Sequence, residues 1–115
     1  MTKIQTLRSA LAVATLAALT VPAFAQHTIK IGVSQPLTGP VAASGTYVTN
    51  GARIAAEVIN KKGGVLGKKI ELVIEDNKSN PREAVNSAEK LILKDKVPVI
   101  MGAWSSTFTL AVMPK

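Results

Sequence analysis

Apolar and polar residues alternate with a period of two in two short stretches of the chain. Residues 28–33 (T-I-K-I-G-V) alternate before becoming apolar, and residues 69–76 (K-I-E-L-V-I-E-D) alternate at their start. This period is typical of a β-strand, because successive side chains point to opposite faces. A third apolar run, residues 97–101, carries Pro98 at its beginning, where a strand tolerates proline. The pattern predicts three strands.

The segments between these strands have helical periodicity. From Tyr47 onward, apolar residues recur three or four positions apart on one face of a helix: Tyr47, Gly51, Ile54, Ala55, Val58 and Ile59. Arg53, Glu57 and Lys61 fall on the other face, at the spacing that allows ion pairs. Gly63 and Gly64 then end the helix, as C-terminal caps.

The second helix has a clear start signal. Asn80 can cap it, Pro81 suits the first turn, and Glu83 follows three residues after the cap. Its apolar positions continue to about Lys94. A further apolar run at residues 108–113 predicts the beginning of a third helix.

The order is therefore β-α-β-α-β-α, which predicts an α/β fold with a partial, doubly wound parallel sheet. Ligands bind such sheets at the carboxyl ends of the strands. Residues 34–46, 77–80 and 102–107 are predicted to form the loops at that edge. The loop at residues 63–68 belongs to the opposite edge.

The third of these loops carries hydroxyl groups at the start of a helix. Ser105, Ser106 and Thr107 are consecutive and follow Gly102. Free backbone N–H groups and the positive end of a helix dipole make such a turn suitable for a carboxylate or a phosphate. Plain helix capping is the alternative role for the serines, and it uses the same geometry.

The amino terminus predicts a secretory signal peptide. Lys3 and Arg8 precede an uncharged apolar run at residues 10–21, and the A-x-A site at residues 23–25 predicts cleavage after Ala25. The alternative, a membrane anchor, needs about 20 apolar residues. We therefore expect an exported, periplasmic product without a membrane anchor, in which residues 26–115 form the mature chain.

Composition narrows the possible functions. The mature segment carries 12 basic and 7 acidic residues, and the basic ones are scattered among acids rather than clustered with aromatics. This distribution argues against nucleic-acid binding. The chain has no cysteine, so its stability must come from a packed core.

Catalytic motifs do not fit this chain. The glycine-lysine segment at residues 63–69 has the wrong spacing for a phosphate loop and follows a helix. The only histidine is His27, which leaves a nucleophile without a base and a metal without a ligand cluster. Asp76 ends a strand, where an acid usually caps a turn. We expect a protein that is not an enzyme and uses no cofactor or metal.

Several segments together resemble the bacterial periplasmic branched-chain amino-acid-binding proteins, the type I substrate-binding components of ABC transporters. The residues that carry the resemblance are Ile29-Lys30-Ile31-Gly32-Val33, Pro36-Leu37-Thr38-Gly39-Pro40, residues 59–72, Asp76, Asn80-Pro81, Ala84 and the turn from Gly102 to Ser106. The resemblance implies that residues 26–115 are an incomplete N-terminal lobe of a two-lobed protein. Such a protein closes over a small ligand and presents it to an inner-membrane ABC permease.

The resemblance also implies roles for particular residues. By position, Ser106 would hold the α-carboxylate of an amino acid, with Ser105 as the neighbouring candidate, Thr107 in the same turn and Trp104 at the pocket wall. Ser44 stands where some relatives have an aromatic residue that shapes the side-chain pocket. A smaller residue there leaves room for a larger or more polar ligand than leucine.

The resemblance leaves two other functions open. A sensory or regulatory ligand-binding domain has the same fold, and an exported α/β enzyme would need its active site in residues beyond Lys115. Members of this family are several hundred residues long. We therefore expect the chain to be a fragment that retains half of a binding site and little affinity.

Overall fold

The computed structural model describes residues 28–115, so the predicted signal peptide and its cleavage site at Ala25 lie outside the described residues. The predicted β-α-β-α-β-α order is confirmed, with these elements: β1 (Ile29–Gln35), α1 (Ala42–Lys61), β2 (Ile70–Asp76), α2 (Pro81–Glu89), β3 (Ile100–Met101) and α3 (Ser106–Val112). A π-helical turn, Lys90–Lys94, continues α2.

The three strands form one parallel sheet in the order β2-β1-β3. β1 pairs with β2 from Ile29 opposite Ile70 to Gln35 opposite Asp76. Because the chain moves from β1 to β2 on one side and back across to β3 on the other, right-handed crossovers place α1 and α2 on opposite faces. The predicted doubly wound arrangement is thus present, and the three strands end at one edge.

β3 is shorter than predicted. The expected strand at residues 97–101 is reduced to two paired residues, although the Gly32 N–H also reaches the Val99 carbonyl at 2.9 Å. Pro98 has no N–H to donate, and the Val97 N–H bonds to the Leu91 carbonyl at 3.1 Å. The first residues of the expected strand therefore close the preceding helix instead of extending the sheet.

α1 begins at Ala42, so the predicted loop at residues 34–46 was wrong at both ends. Ser34 and Gln35 continue β1. The hydroxyl of Thr46 donates to the Ala42 carbonyl at 2.8 Å, which lets a polar residue stand inside the first helical turns. A Cβ on Gly45 would lie 2.0 Å from the Pro36 carbonyl oxygen, so glycine allows the helix to pack directly on the first loop.

α1 turns an unexpected face to the sheet. Its buried residues are Gly45 and Thr49, whereas Tyr47 is 77% exposed and Ile54 is 63% exposed. An amphipathic helix normally buries its apolar stripe. Here most of the predicted apolar stripe faces solvent and only Ile59 is half-buried, because small residues provide the close contact with the sheet.

The end of α1 is as predicted. Gly63 and Gly64 both have positive φ angles, and their N–H groups bond to the carbonyls of Asn60 at 3.1 Å and Ile59 at 2.9 Å. These two bonds satisfy carbonyls that the last turn would otherwise leave unpaired. The glycine pair therefore acts as a C-terminal cap.

α2 has the predicted cap and buries much of its apolar face. The Asn80 side chain accepts hydrogen bonds from the N–H groups of Arg82 and Glu83 at 2.8 and 3.3 Å. Ala84, Ala88 and Leu91 are completely buried. Helical structure continues through the π turn, so the predicted end near Lys94 is confirmed.

α3 includes most of the apolar run that predicted it. Phe108 is buried with Ala84 and Ala103, whereas Leu110 and Met113 are exposed. None of the helices within residues 28–115 has the length and apolar character needed to cross a bilayer.

Candidate functional site

The turn between β3 and α3, residues 102–107, is called the third-strand turn. It lies at the carboxyl edge of the sheet, as predicted. The Ser105 N–H donates to the Ala103 carbonyl at 2.8 Å, which closes a three-residue turn around Trp104. Trp104 has a φ of 64°, a left-handed conformation that costs free energy for a residue with a large side chain. The tight turn reverses the chain and leaves the indole about half exposed.

The structure separates the roles of the hydroxyl residues. Ser105 is the N-cap of α3, and its Oγ accepts a hydrogen bond from the Phe108 N–H at 3.3 Å. Ser106 and Thr107 are the next two residues and both are exposed. The N–H groups of a first helical turn have no partner within the helix. The capping alternative therefore applies to Ser105, whereas Ser106 and Thr107 present free donors to solvent.

Two contacts hold this turn in place. Ala103 and Phe108 pack with Ala84 of α2, and Val41 of the first loop packs against the same cluster. From the sheet, the Gln35 side chain is buried and donates a hydrogen bond to the Gly102 carbonyl. The turn is thus anchored to the strand, to α2 and to the first loop. Gln35 was not anticipated, although a polar residue at the end of an apolar strand was its only signal in the sequence.

Asp76 joins the first two loops. Its carboxylate accepts hydrogen bonds from the N–H groups of Leu37, Thr38 and Lys78, at 2.8, 3.2 and 2.8 Å, and from the Thr38 hydroxyl at 2.6 Å. Burial on its own would raise the pKa of Asp76, but these hydrogen bonds, led by that of the Thr38 hydroxyl, outweigh it and hold the pKa below its ordinary value. The expected turn-capping role of Asp76 is confirmed.

Ser79 adds a second link between the same loops. Its hydroxyl donates to the Thr38 carbonyl at 2.7 Å and accepts from the Val41 N–H at 3.4 Å. Gly39, with a φ of 87°, passes so close that a Cβ would lie 2.8 Å from the Ser79 hydroxyl. The loops after β1 and β2 are therefore joined to each other by hydrogen bonds through Asp76 and Ser79, beside the third-strand turn.

Ser44 lies apart from the other predicted site residues. It is part of the first turn of α1, half-buried, and not in a loop as expected. Among residues 28–115, no hydrogen bond joins it to the third-strand turn. The structure therefore brings Trp104, Ser105, Ser106 and Thr107 together and places Ser44 on a neighbouring element at the same end of the sheet.

The cavities at this edge are small. One of about 160 Å³ lies under α3, and its lining consists of Ser34, Ile100, Gly102, Ala103, Thr109, Val112 and Met113. A groove of about 710 Å³ is open to solvent and lies between α1 and β2, away from the third-strand turn. Within residues 28–115 no three His, Cys, Asp or Glu side chains come together as a metal site would require. The candidate site is thus an open surface of hydrogen-bond donors.

Comparison with known proteins identifies relatives over the whole described region. Residues 28–115 match a family model described as "Periplasmic binding protein". The Leu/Ile/Val-binding protein BraC3 of Rhizobium johnstonii is 40% identical over 97 residues, which are 84% of this chain and 26% of that protein. The chain therefore spans about a quarter of the length of this curated relative.

Solved structures give the same result. The branched-chain amino-acid transporter substrate-binding protein LivJ of Streptococcus pneumoniae, in complex with isoleucine, aligns with a TM-score of 0.74 and 40% identity, over 76% of this chain and 25% of that one. A solute-binding protein of an ABC transporter from Rhodopseudomonas palustris BisB5, in complex with 3,4-dihydroxybenzoic acid, aligns with a TM-score of 0.67 and 36% identity. That match covers 76% of this chain and 23% of that one.

Proposed function

Because the chain belongs to the periplasmic binding protein family, we propose that it supplies part of the ligand-binding lobe of an exported solute-binding protein. The proposed ligands are branched-chain amino acids or related small carboxylates, which an inner-membrane ABC permease then takes up. One observation carries the proposal: Ser105 caps α3, while Ser106 and Thr107 leave their N–H groups open at the carboxyl edge of the sheet. Such donors suit a carboxylate.

The ligands of two relatives share the group that this turn would hold. The Streptococcus protein binds isoleucine and the Rhodopseudomonas protein binds 3,4-dihydroxybenzoic acid. These molecules have little in common except a carboxylate. A turn that offers backbone N–H groups and a serine hydroxyl would bind that shared carboxylate without contacting the remainder of the ligand.

The remainder of the ligand would contact Trp104 and Ser44. Trp104 is 47% exposed beside the donors, so its indole offers apolar surface at the pocket wall. Ser44 is small and stands in the first turn of α1. This combination favours a ligand that is larger or more polar than leucine and is bounded by the indole.

The proposal includes export to the periplasm. Residues 1–25 would act as a signal peptide, and residues 26–115 would be the mature segment. Amino-terminal sequencing of protein recovered from the periplasm should therefore begin at Gln26. A protein that retains Met1, or that remains in the cytoplasm, would contradict this part of the proposal.

Trp104 provides a direct assay of binding, because it is the only tryptophan in the chain. Its fluorescence should change on titration with isoleucine at millimolar concentrations and should not change with isoleucinamide, which lacks the carboxylate. Ser106→Ala should weaken the response by about tenfold or more, since a hydrogen bond to a charged group is worth about 1.5–3 kcal/mol. An equal response to the amide would refute the carboxylate role, and micromolar affinity would refute the expectation of half a site.

A further inference from the structure

Gln35 is a buried polar side chain at the last position of β1. It is 2% exposed, and Val33 and Ser34 before it are also buried. The residue that follows, Pro36, restricts the Gln35 backbone to the extended region. The Gln35 carbonyl also accepts a hydrogen bond from the Asn77 N–H at 3.1 Å. The backbone of Gln35 is therefore fixed, and its side chain extends from a rigid position.

Only one end of the Gln35 amide has a partner within residues 28–115. Its Nε2 donates to the Gly102 carbonyl, whereas its Oε1 is buried and accepts no hydrogen bond. A buried acceptor without a partner costs free energy, which an apolar side chain of the same size would not lose. Gly102 is exposed, so water can replace Gln35 as the partner of its carbonyl. Packing and stability alone would therefore favour an apolar residue at this position.

The Gly102 carbonyl leads directly into the strained part of the third-strand turn. In a trans peptide the carbonyl of Gly102 and the N–H of Ala103 point in opposite directions, so the bond from Gln35 orients both groups. The next residue, Trp104, has a φ of 64°, and the Ser105 N–H closes the turn onto the Ala103 carbonyl at 2.8 Å. A strained conformation persists only where neighbouring contacts hold it. Gln35 provides such a contact from the sheet.

We propose that Gln35 is a positioning residue for the third-strand turn. It fixes the Gly102–Ala103 peptide and thereby keeps Trp104 in the left-handed conformation. Ser106 and Thr107 follow two and three residues later, so the directions of their N–H groups depend on this bond. The inference rests on the proposed function, in which those N–H groups hold a carboxylate. It assigns the Gln35 side chain to ligand affinity and not to the stability of the fold.

Gln35→Met tests this assignment, because methionine has a similar size and flexibility but cannot donate to the Gly102 carbonyl. The urea midpoint of the variant should equal or exceed that of the parent chain. Its dissociation constant for isoleucine, measured by Trp104 fluorescence, should rise about tenfold or more. An unchanged dissociation constant would overturn the proposal. A large fall in the urea midpoint would also overturn it, because Gln35 would then act in packing.

Ser87→Ala is the matched control at the same end of the sheet. The Ser87 and Ser34 hydroxyls share a buried hydrogen bond of 2.6 Å, and Ser87 belongs to α2. Its truncation leaves the buried Ser34 hydroxyl without that partner, so the urea midpoint should fall. The dissociation constant for isoleucine should stay within about twofold of the parent value. An equal loss of affinity in Ser87→Ala and Gln35→Met would overturn the proposal, because affinity would then follow stability.

Gln35→Glu tests the donated hydrogen bond itself. A carboxylate cannot donate to the Gly102 carbonyl, whereas a protonated carboxylic acid can. Burial raises the pKa of a carboxylic acid at this position, and so does the negative charge of Asp76, which lies opposite Gln35 in the sheet. Hydrogen bonds hold the pKa of Asp76 below its ordinary value, so Asp76 keeps its charge under mildly acidic conditions.

The affinity of Gln35→Glu for isoleucine should therefore increase at least about threefold between about pH 8 and about pH 5. The isoleucine carboxylate stays ionised over this range, so the parent chain and Gln35→Met should change little. Circular dichroism verifies that the variant is folded at both pH values. A folded Gln35→Glu variant without this recovery would overturn the role of the donated hydrogen bond.

A measurement without ligand separates this proposal from the proposed function. In nitrogen-15 NMR experiments without isoleucine, Gln35→Met should shift the amide resonances of Ser105 and Ser106. It should also accelerate hydrogen exchange of the Ser105 amide about tenfold. Unchanged resonances and exchange would overturn the positioning role. A parent chain that does not respond to isoleucine would refute the carboxylate site, whereas this comparison would still decide whether Gln35 holds the turn.

Discussion

The two helices that flank the sheet use their apolar residues in opposite ways. α2 buries Ala84 and Ala88 completely and begins with a side-chain cap from Asn80, and the π turn that follows it buries Leu91. α1 is more than twice as long, lacks a side-chain cap, and faces the sheet with Gly45 and Thr49. The spacing of apolar residues in the sequence thus shows where an apolar stripe lies on a helix, but not which surface that stripe contacts.

The difference has a structural origin in the position of the glycine at each helix–sheet contact. α1 passes so close to Pro36 that only glycine fits at position 45. The π turn that continues α2 and the segment after it instead pack over Gly32, whose missing side chain leaves space for Leu91 and Val97. The glycine at the closest contact belongs to the helix in the first case and to the strand in the second. Leu91 in the π turn after α2 therefore points inward, whereas Tyr47, Ile54 and Val58 of α1 are exposed.

Truncation of one large residue on each helix should give the largest contrast. Leu91→Ala removes a fully buried side chain and should lower the free energy of unfolding by about 2–5 kcal/mol. Ile54→Ala, at a 63% exposed position, should change it by about 0.5 kcal/mol or less in dilute protein. Urea denaturation measures both, and equal losses would show that α1 packs through its apolar stripe in the folded chain.

The next largest effect should come from Asp76, which braces the loops beside α1 and α2. Asp76→Ala removes the acceptor of four hydrogen bonds and should cost about 1–3 kcal/mol at pH 7. Because the folded pKa is below the unfolded value, this contribution is present above about pH 4 and is lost as the pH falls through the lower folded pKa.

Urea denaturation at pH 7 and near pH 2 measures this dependence. The gap in stability between the parent chain and Asp76→Ala should narrow on acidification. A gap that widened at low pH would show that the Asp76 carboxylate is destabilising in the folded chain. Glu57→Ala serves as the control, because Glu57 has only an exposed partner on α1.

The two neighbouring serines of the candidate site should respond differently to truncation. Ser105→Ala removes the N-cap of α3 and should cost about 0.5–2 kcal/mol. Ser106→Ala removes an exposed hydroxyl and should change stability by about 0.5 kcal/mol or less. Thermal or urea unfolding of the two variants would contradict the assigned roles if Ser106 proved the costlier loss.

The smallest effect should come from the exposed ion pair on α1. Glu57→Gln removes the pairing with Lys61 and should cost about 0.3–0.5 kcal/mol, a loss that added salt should reduce. Unfolding at low and high ionic strength measures it. A loss above 1 kcal/mol that did not depend on salt would mean that this flank of α1 is covered in solution.

The sequence predicted the features that depend on local chemistry. Asn80 followed by Pro81 marks the start of α2, and Gly63 with Gly64 marks the end of α1, because each signal acts through its own backbone. The position of the hydroxyl turn followed from the parallel topology. The family resemblance also came from local motifs, and the match over residues 28–115 confirms it.

Features that depend on long-range contacts were missed. The start of α1 was placed five residues too late, because its first turns are supported by Pro36 rather than by a capping side chain. The burial of Thr49 in place of Tyr47 depends on the distance between helix and sheet. The hydrogen bond from Gln35 to Gly102 joins residues 67 positions apart. Neither periodicity nor local propensity contains this information.

A nitrogen-15 NMR titration tests most directly whether the amides at the start of α3 hold a carboxylate, as we propose. Addition of isoleucine should shift the amide resonances of Ser106 and Thr107 progressively, and isoleucinamide at the same concentration should leave them unchanged. Shifts confined to other residues, or identical shifts with the amide, would contradict the assignment of this turn as the carboxylate site.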